Sequence, residues 1–174
     1  MKLIAPVLLG ALVLVTSSAV ADTTLAKFTG GIGVIPVSSG VGTGATAETV
    51  NRNIVRGVQP PGQPWVIRDL EATVKNDGSI RVRGSGLLLA GNTPGSNAGA
   101  SVFATLLCAT NVANVFTSHS TNEAGVALEP DGDFEINDLL SPAPTGCTSP
   151  VLLIRSTNAA NGQPWFAAGI PDLK

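Results

Sequence analysis

The chain has 174 residues, with ten basic and twelve acidic side chains, one histidine, two cysteines and no tyrosine. That length allows a single domain with a real core, and the slightly acidic balance argues against a general nucleic-acid binder. One histidine and two cysteines supply a zinc or copper site poorly, so neither a metal nor a cofactor is expected.

Residues 1–21 read as a secretory signal peptide. Lys2 is the short positive region, Ile4 to Val15 the apolar core, and Ala19-Val20-Ala21 a small-x-small cleavage site before Asp22. The apolar run is shorter than the roughly 20 residues of a transmembrane helix. No later stretch reaches spanning length, and no cysteine follows the run to carry a lipid. The expected product is residues 22–174, a single domain that is secreted or periplasmic, with no transmembrane segment in the mature chain. Its nine basic and twelve acidic residues give a net charge of −3.

Lys27 to Val37 has the apolar content of a strand, interrupted at Gly30-Gly31. Gly33, between Ile32 and Val34, suggests close approach of another backbone or a tight bend, and Pro36 an edge or strand end. Ser38 to Ala47 reads as a loop of small residues. Its glycines do not fit a phosphate-binding Walker pattern. Asn51 to Val58 is a candidate short strand, and Gln59 to Pro64 a rigid turn.

Trp65 to Ala90 holds the longest alternation of apolar and polar residues. Leu70, Ala72 and Val74 alternate with polar neighbours before Asn76-Asp77-Gly78, and Ile80 and Val82 alternate after it. Alternation on both sides of an Asp-Gly specifies a hairpin, with Val74 facing Ile80, Ala72 facing Val82 and Glu71 facing Arg83. The same register puts Arg68 opposite Gly86 on the apolar side. Either a β-bulge near Arg68-Asp69 turns it outward, or Arg68 points into a cavity and holds an anionic ligand.

Gly91 to Ala100 is a loop and Ser101 to Ala109 a strand, with Val102, Ala104, Leu106 and Cys108 on one face. Asn111 to Thr117 is a candidate partner for it. Val126 to Ile136 reads as a second hairpin around Glu129 to Asp133. Ser141 to Pro150 is a Pro-rich loop, Val151 to Arg155 a strand, Asn158 to Pro164 a turn and Trp165 to Ala168 a last strand. No segment sustains helical periodicity. The fold class is therefore all-β: a single-domain antiparallel β-sandwich or small β-barrel with little or no helix after the signal peptide. In an oxidising compartment Cys108 and Cys147 form one disulfide, closing a loop of about 40 residues and worth on the order of 3–4 kcal/mol.

One tetrapeptide occurs twice, as Gly62-Gln63-Pro64-Trp65 and Gly162-Gln163-Pro164-Trp165, and it holds both tryptophans. One reading is a shared turn into a strand, with each Trp covering an end of the core. The other brings the two rings to one rim, where they stack on a sugar or another flat ligand. Trp65, Arg68 and Trp165 are the candidate ligand-binding residues.

Catalytic signals are poor, and no catalytic residue is assigned. His119 is flanked by serines in a Ser/Thr-rich stretch that reads as a solvated loop, without a nucleophile-elbow pattern. The acidic stretch 123–138 has calcium-compatible oxygens but does not match an EF-hand, and Glu129-Pro130-Asp131-Gly132 is good turn chemistry alone. The residues point first to an exported, non-enzymatic binding or cell-envelope domain for a small molecule, glycan or protein. A small secreted hydrolase or isomerase using His119 or carboxylates is the second reading. A structural, self-associating envelope protein is the third.

Overall fold

A computed structural model of the chain describes residues 23–41 and 49–172. The expected signal peptide, residues 1–21, lies outside them. The strands in chain order are β1 (Thr24–Gly33), β2 (Val37–Val41), β3 (Thr49–Arg52), β4 (Trp65–Val66), β5 (Asp69–Lys75) and β6 (Ser79–Ser85). They continue with β7 (Leu88–Leu89), β8 (Ser101–Ala109), β9 (Phe116–Ser120), β10 (Val126–Ala127), β11 (Phe134–Leu139), β12 (Thr148–Ser156) and β13 (Trp165–Pro171).

The Asp-Gly hairpin forms as its alternation dictates. β5 and β6 pair with Val74 opposite Ile80, Ala72 opposite Val82 and Glu71 opposite Arg83. The Gly78 N–H donates to the Lys75 carbonyl at 3.0 Å, closing the three-residue loop. Leu70, Ala72, Val74, Ile80 and Val82 are all buried. A one-residue slip would turn all five to water, so burial fixes the register.

Around this hairpin the strands form one curled antiparallel sheet, a half-barrel, in the order β10-β8-β12-β13-β1-β5-β6-β11, with β9 also paired to β8. Its ends approach through a two-bond bridge: Ser120 N–H donates to Ser141 O at 3.1 Å, and Ser141 N–H to Ser120 O at 2.8 Å. The concave side holds Phe28, Leu70, Ile80, Leu106, Leu152 and Ile154, each at most 1 % exposed. β1 shifts register between Phe28 and Gly31, at the expected interruption.

β8 is buried on both faces, including Phe103, Thr105 and Leu107. The second face is covered by the segment after β3. Arg56 Nη1 donates to Leu107 O at 2.7 Å, the Arg56 guanidinium sits 4.7 Å from the Phe116 ring centre, and Trp165 Nε1 donates to Asn53 O at 3.0 Å. Burial pushes the Arg56 guanidinium below its ordinary pKa.

Several elements differ from the sequence expectation. The loop expected at 38–47 begins instead with β2, which pairs with β3 in a separate two-stranded ladder; residues 42–48 lie outside the described ones. The strand expected at 51–58 stops at Arg52, and Val55 to Val58 form a tight turn bridged by bonds of 3.0 and 2.9 Å. The partner of β8 is β9, further along than 111–117, so His119 lies in a strand rather than a loop. The Glu129–Asp133 turn forms, with Glu129 N–H donating to Asp133 O at 2.9 Å. Its arms part, however, because β10 pairs with β8 and β11 with β6. The apolar faces of the two arms serve opposite ends of the same sheet.

Cys108 and Cys147 are bonded, with Cα atoms 4.9 Å apart. The bond ties the Pro-rich loop to β8. No helix among the described residues is long and apolar enough to cross a membrane.

Candidate functional site

The repeated tetrapeptide is a sequence feature that periodicity leaves unexplained, and the fold gives both copies the same task. The Pro64 carbonyl accepts from Ala90 N–H, and the Pro164 carbonyl accepts from Ser156 N–H, each at 2.9 Å. Each copy thus delivers its Trp to a strand start, Trp65 opposite Leu89 and Trp165 opposite Arg155. Proline suits the junction because its fixed φ stiffens the turn and no N–H is left unpaired.

The two rings go to different faces. Trp65 stacks on Phe166, with ring centres 4.0 Å apart and planes 12° from parallel. Phe166 follows Trp165 directly in β13, and neighbouring residues of a strand point to opposite faces. Trp165 therefore points away from the Trp65–Phe166 pair, beneath the Asn53 carbonyl. Exposures of 5 % and 3 % leave neither indole an open face for a stacked ligand.

The turns themselves meet. Between them runs a cleft of about 750 Å³, within the range of roughly 300–1,000 Å³ typical of small-molecule sites. Its floor is apolar: Pro60, Pro61, Pro164, Leu89, Trp65 and Phe166. Its rim is polar, with Arg52, Ser101, Thr157, Asn158 and Asn161. Arg52 Nη2 donates to Pro60 O at 3.2 Å, and among the described residues no carboxylate pairs with it. Asn158 precedes and Asn161 ends a short 3-10 turn (Ala159–Asn161), and among the described residues their side-chain amides have no partner. Gln63 is committed, since its Oε1 accepts from Asn92 N–H at 3.1 Å.

Arg68 lies elsewhere. At its level the buried side of both strands changes: Leu70 and Val82 are buried on one side of the switch, Trp65 and Leu87 on the other. The register does not slip, because Trp65–Leu89 continues the count set by Asp69–Ser85. The change of face falls where ladder pairing lapses between them; there Arg68 N–H donates to Ser85 O at 2.9 Å, one residue off the Asp69–Ser85 pairing, and Gly86 stands at φ +65°. Arg68 is left exposed against Gly86, its Nη2 3.9 Å from Asp133 Oδ1. It adjoins a second cleft, about 690 Å³, whose lining includes Asp69, Glu71, Glu129, Asp133 and Glu135. The three candidate ligand residues are thus not brought together.

The acidic stretch is engaged in structural bonds. Asp133 Oδ1 accepts from Gly86 N–H, Asp138 accepts from Asn122 and Leu139 N–H, and Glu135 accepts from Arg81 at 2.7 and 2.9 Å. The Arg81 hydrogen bond holds the Glu135 carboxyl below the ordinary glutamate range. Among the described residues no group of three or more His, Cys, Asp or Glu side chains is placed to hold a metal ion.

His119 is 6 % exposed in β9, facing Leu106. Its Nδ1–H donates to Pro142 O at 2.7 Å, which leaves Nε2 to accept from Thr117 Oγ1 at 3.0 Å. Both ring nitrogens serve the fold, and neither of these partners is a carboxylate, so this geometry supplies no triad.

Phe166, Arg52, Asn158 and Asn161 carried no signal in the sequence beyond their closeness to the repeated turns. The chain matches no protein-family model, no curated protein and no solved structure.

Proposed function

We propose that the protein is a secreted or periplasmic binding domain and that the cleft between the two Gly-Gln-Pro-Trp turns holds its ligand. The single supporting observation is this convergence: the repeated tetrapeptides, far apart in sequence, bound one cleft with an apolar floor and a polar rim. The signal-like N-terminus and the Cys108–Cys147 bond support export. Among the described residues the rim carries amides, hydroxyls and one guanidinium but no histidine or carboxylate, a set suited to holding a molecule rather than moving its protons. The test is a screen of mono- and oligosaccharides and small polar metabolites against the ¹⁵N-labelled protein. A ligand should shift the amide signals of Gly62, Gly99 and Asn161; shifts confined to other regions would reject the cleft as the site.

Self-association in the cell envelope is the second reading. Ile32, Ile35 and Val37 are 58, 65 and 44 % exposed, and within the described residues the β2–β3 ladder has unpaired outer edges. Sedimentation over a hundredfold concentration range would reveal it, and a constant monomer would dismiss it.

A further inference from the structure

We infer that the cleft between the two turns takes a sugar bearing a carboxylate, with Arg52 as the residue that binds the carboxylate; this rests on the cleft being the binding site. Charge is the first observation. Five acids line the cleft beside Arg68, whereas among the described residues the lining of the cleft between the turns holds no acid and one cation, Arg52. Among the described residues the Arg52 guanidinium makes one hydrogen bond, through Nη2 to Pro60 O. Its remaining N–H donors form the fork that a carboxylate engages with two parallel bonds.

The second observation is the rim. Ser101, Thr157, Asn158 and Asn161 offer hydroxyls and amides, each able to donate and accept, the complement of a ring of sugar hydroxyls. The third is the floor, where Pro60, Pro61, Pro164 and Phe166 present apolar surface to the C–H face of a pyranose. A simple aromatic or aliphatic acid would leave the rim amides unused, and a neutral sugar would leave Arg52 unused. A uronate uses the floor, the rim and the cation together.

The experiment compares trigalacturonate with its methyl ester, the same sugar without the charge, by calorimetry and by amide shifts at Gly62, Gly99 and Asn158. The free acid should bind at least tenfold more tightly than the ester. Arg52→Gln should bring the two within about twofold, and Arg52→Lys should keep most of the difference. Unchanged tryptophan fluorescence and melting would show that both variants fold. Equal binding of acid and ester at the cleft would overturn the charge inference while leaving the cleft as the site. Binding of the acid that Arg52→Gln does not weaken would overturn the role of Arg52. Absence of binding by either compound would overturn the inference, and the wider ligand screen then decides separately whether the cleft binds anything.

Discussion

The indole of Trp65 lies flat against the ring of Phe166, 4.0 Å between centres, joining the strand that the first Trp turn opens to the strand that the second one opens. Both rings are at least nine-tenths buried, so the pair closes one end of the core and floors the cleft at the same time. Phe166→Ala should cost about 3–5 kcal/mol, as large aromatic truncations in cores do. Phe166→Leu, which keeps most of the volume, should cost less. Urea unfolding followed by tryptophan fluorescence measures both. A loss under 1 kcal/mol for the alanine variant would mean that the pair is not packed as described.

Gly33 makes a second, sharper case. A Cβ there would lie 2.2 Å from the Trp65 carbonyl oxygen and 2.7 Å from Val66 Cα, both backbone atoms that no rotamer change can remove. Gly33→Ala should therefore destabilise by roughly 1–3 kcal/mol or more, by forcing β4 away from β1. Gly62→Ala meets nothing within 4 Å and should stay within about 0.5 kcal/mol of the parent. Melting temperatures of the two variants side by side decide it, and equal melting would refute the close approach.

The close approach at Gly33 and the register of β5 and β6 were legible because each rests on local chemistry. A glycine between two β-branched residues, and alternation around an Asp-Gly, carry their meaning within a few positions. The strand β8 was legible too, but its burial on both faces was not, because the cover comes from Asn53 to Val58, about fifty residues earlier. His119 was misplaced for a similar reason. Its serine neighbours resemble a loop, yet pairing with β8 and the Pro142 carbonyl draw it inside. The repeat of Gly-Gln-Pro-Trp pointed to two turns that bound one cleft but to the wrong pair of rings, since strand alternation sends Phe166, not Trp165, to meet Trp65.

The disulfide bears on the same Pro-rich loop that supplies the partner of His119. Cys108 and Cys147 are 39 positions apart, so cross-linking them removes considerable freedom from the unfolded chain. Replacing both with alanine should cost about 2–5 kcal/mol. The loop 141–147 should then lose protection from amide exchange before β8 does, because β8 keeps its ladder with β12. Calorimetry and exchange mass spectrometry read the two effects. Equal loss of protection in both segments would contradict the separation.

Stability should also depend on pH through Glu135. Its carboxylate accepts from Arg81 and lies 3.6 Å from Arg83 Nε, and the Arg81 bond in particular lowers its pKa in the folded state. A carboxyl with a depressed folded pKa contributes stability above its unfolded value, roughly 4.3 for glutamate, and loses it as pH falls through the folded value. Asp77 acts in the same direction, because hydrogen bonding with Ser79 lowers its pKa as well. The urea midpoint should therefore fall between pH 7 and pH 3. Glu135→Gln should shrink that fall without abolishing it, the remainder belonging to Asp77 and other carboxylates. Both groups are exposed, so 0.5 M salt should narrow the difference between parent and variant. A Glu135→Gln variant with the same pH dependence as the parent would show that the Arg81–Glu135–Arg83 contacts do not persist in solution.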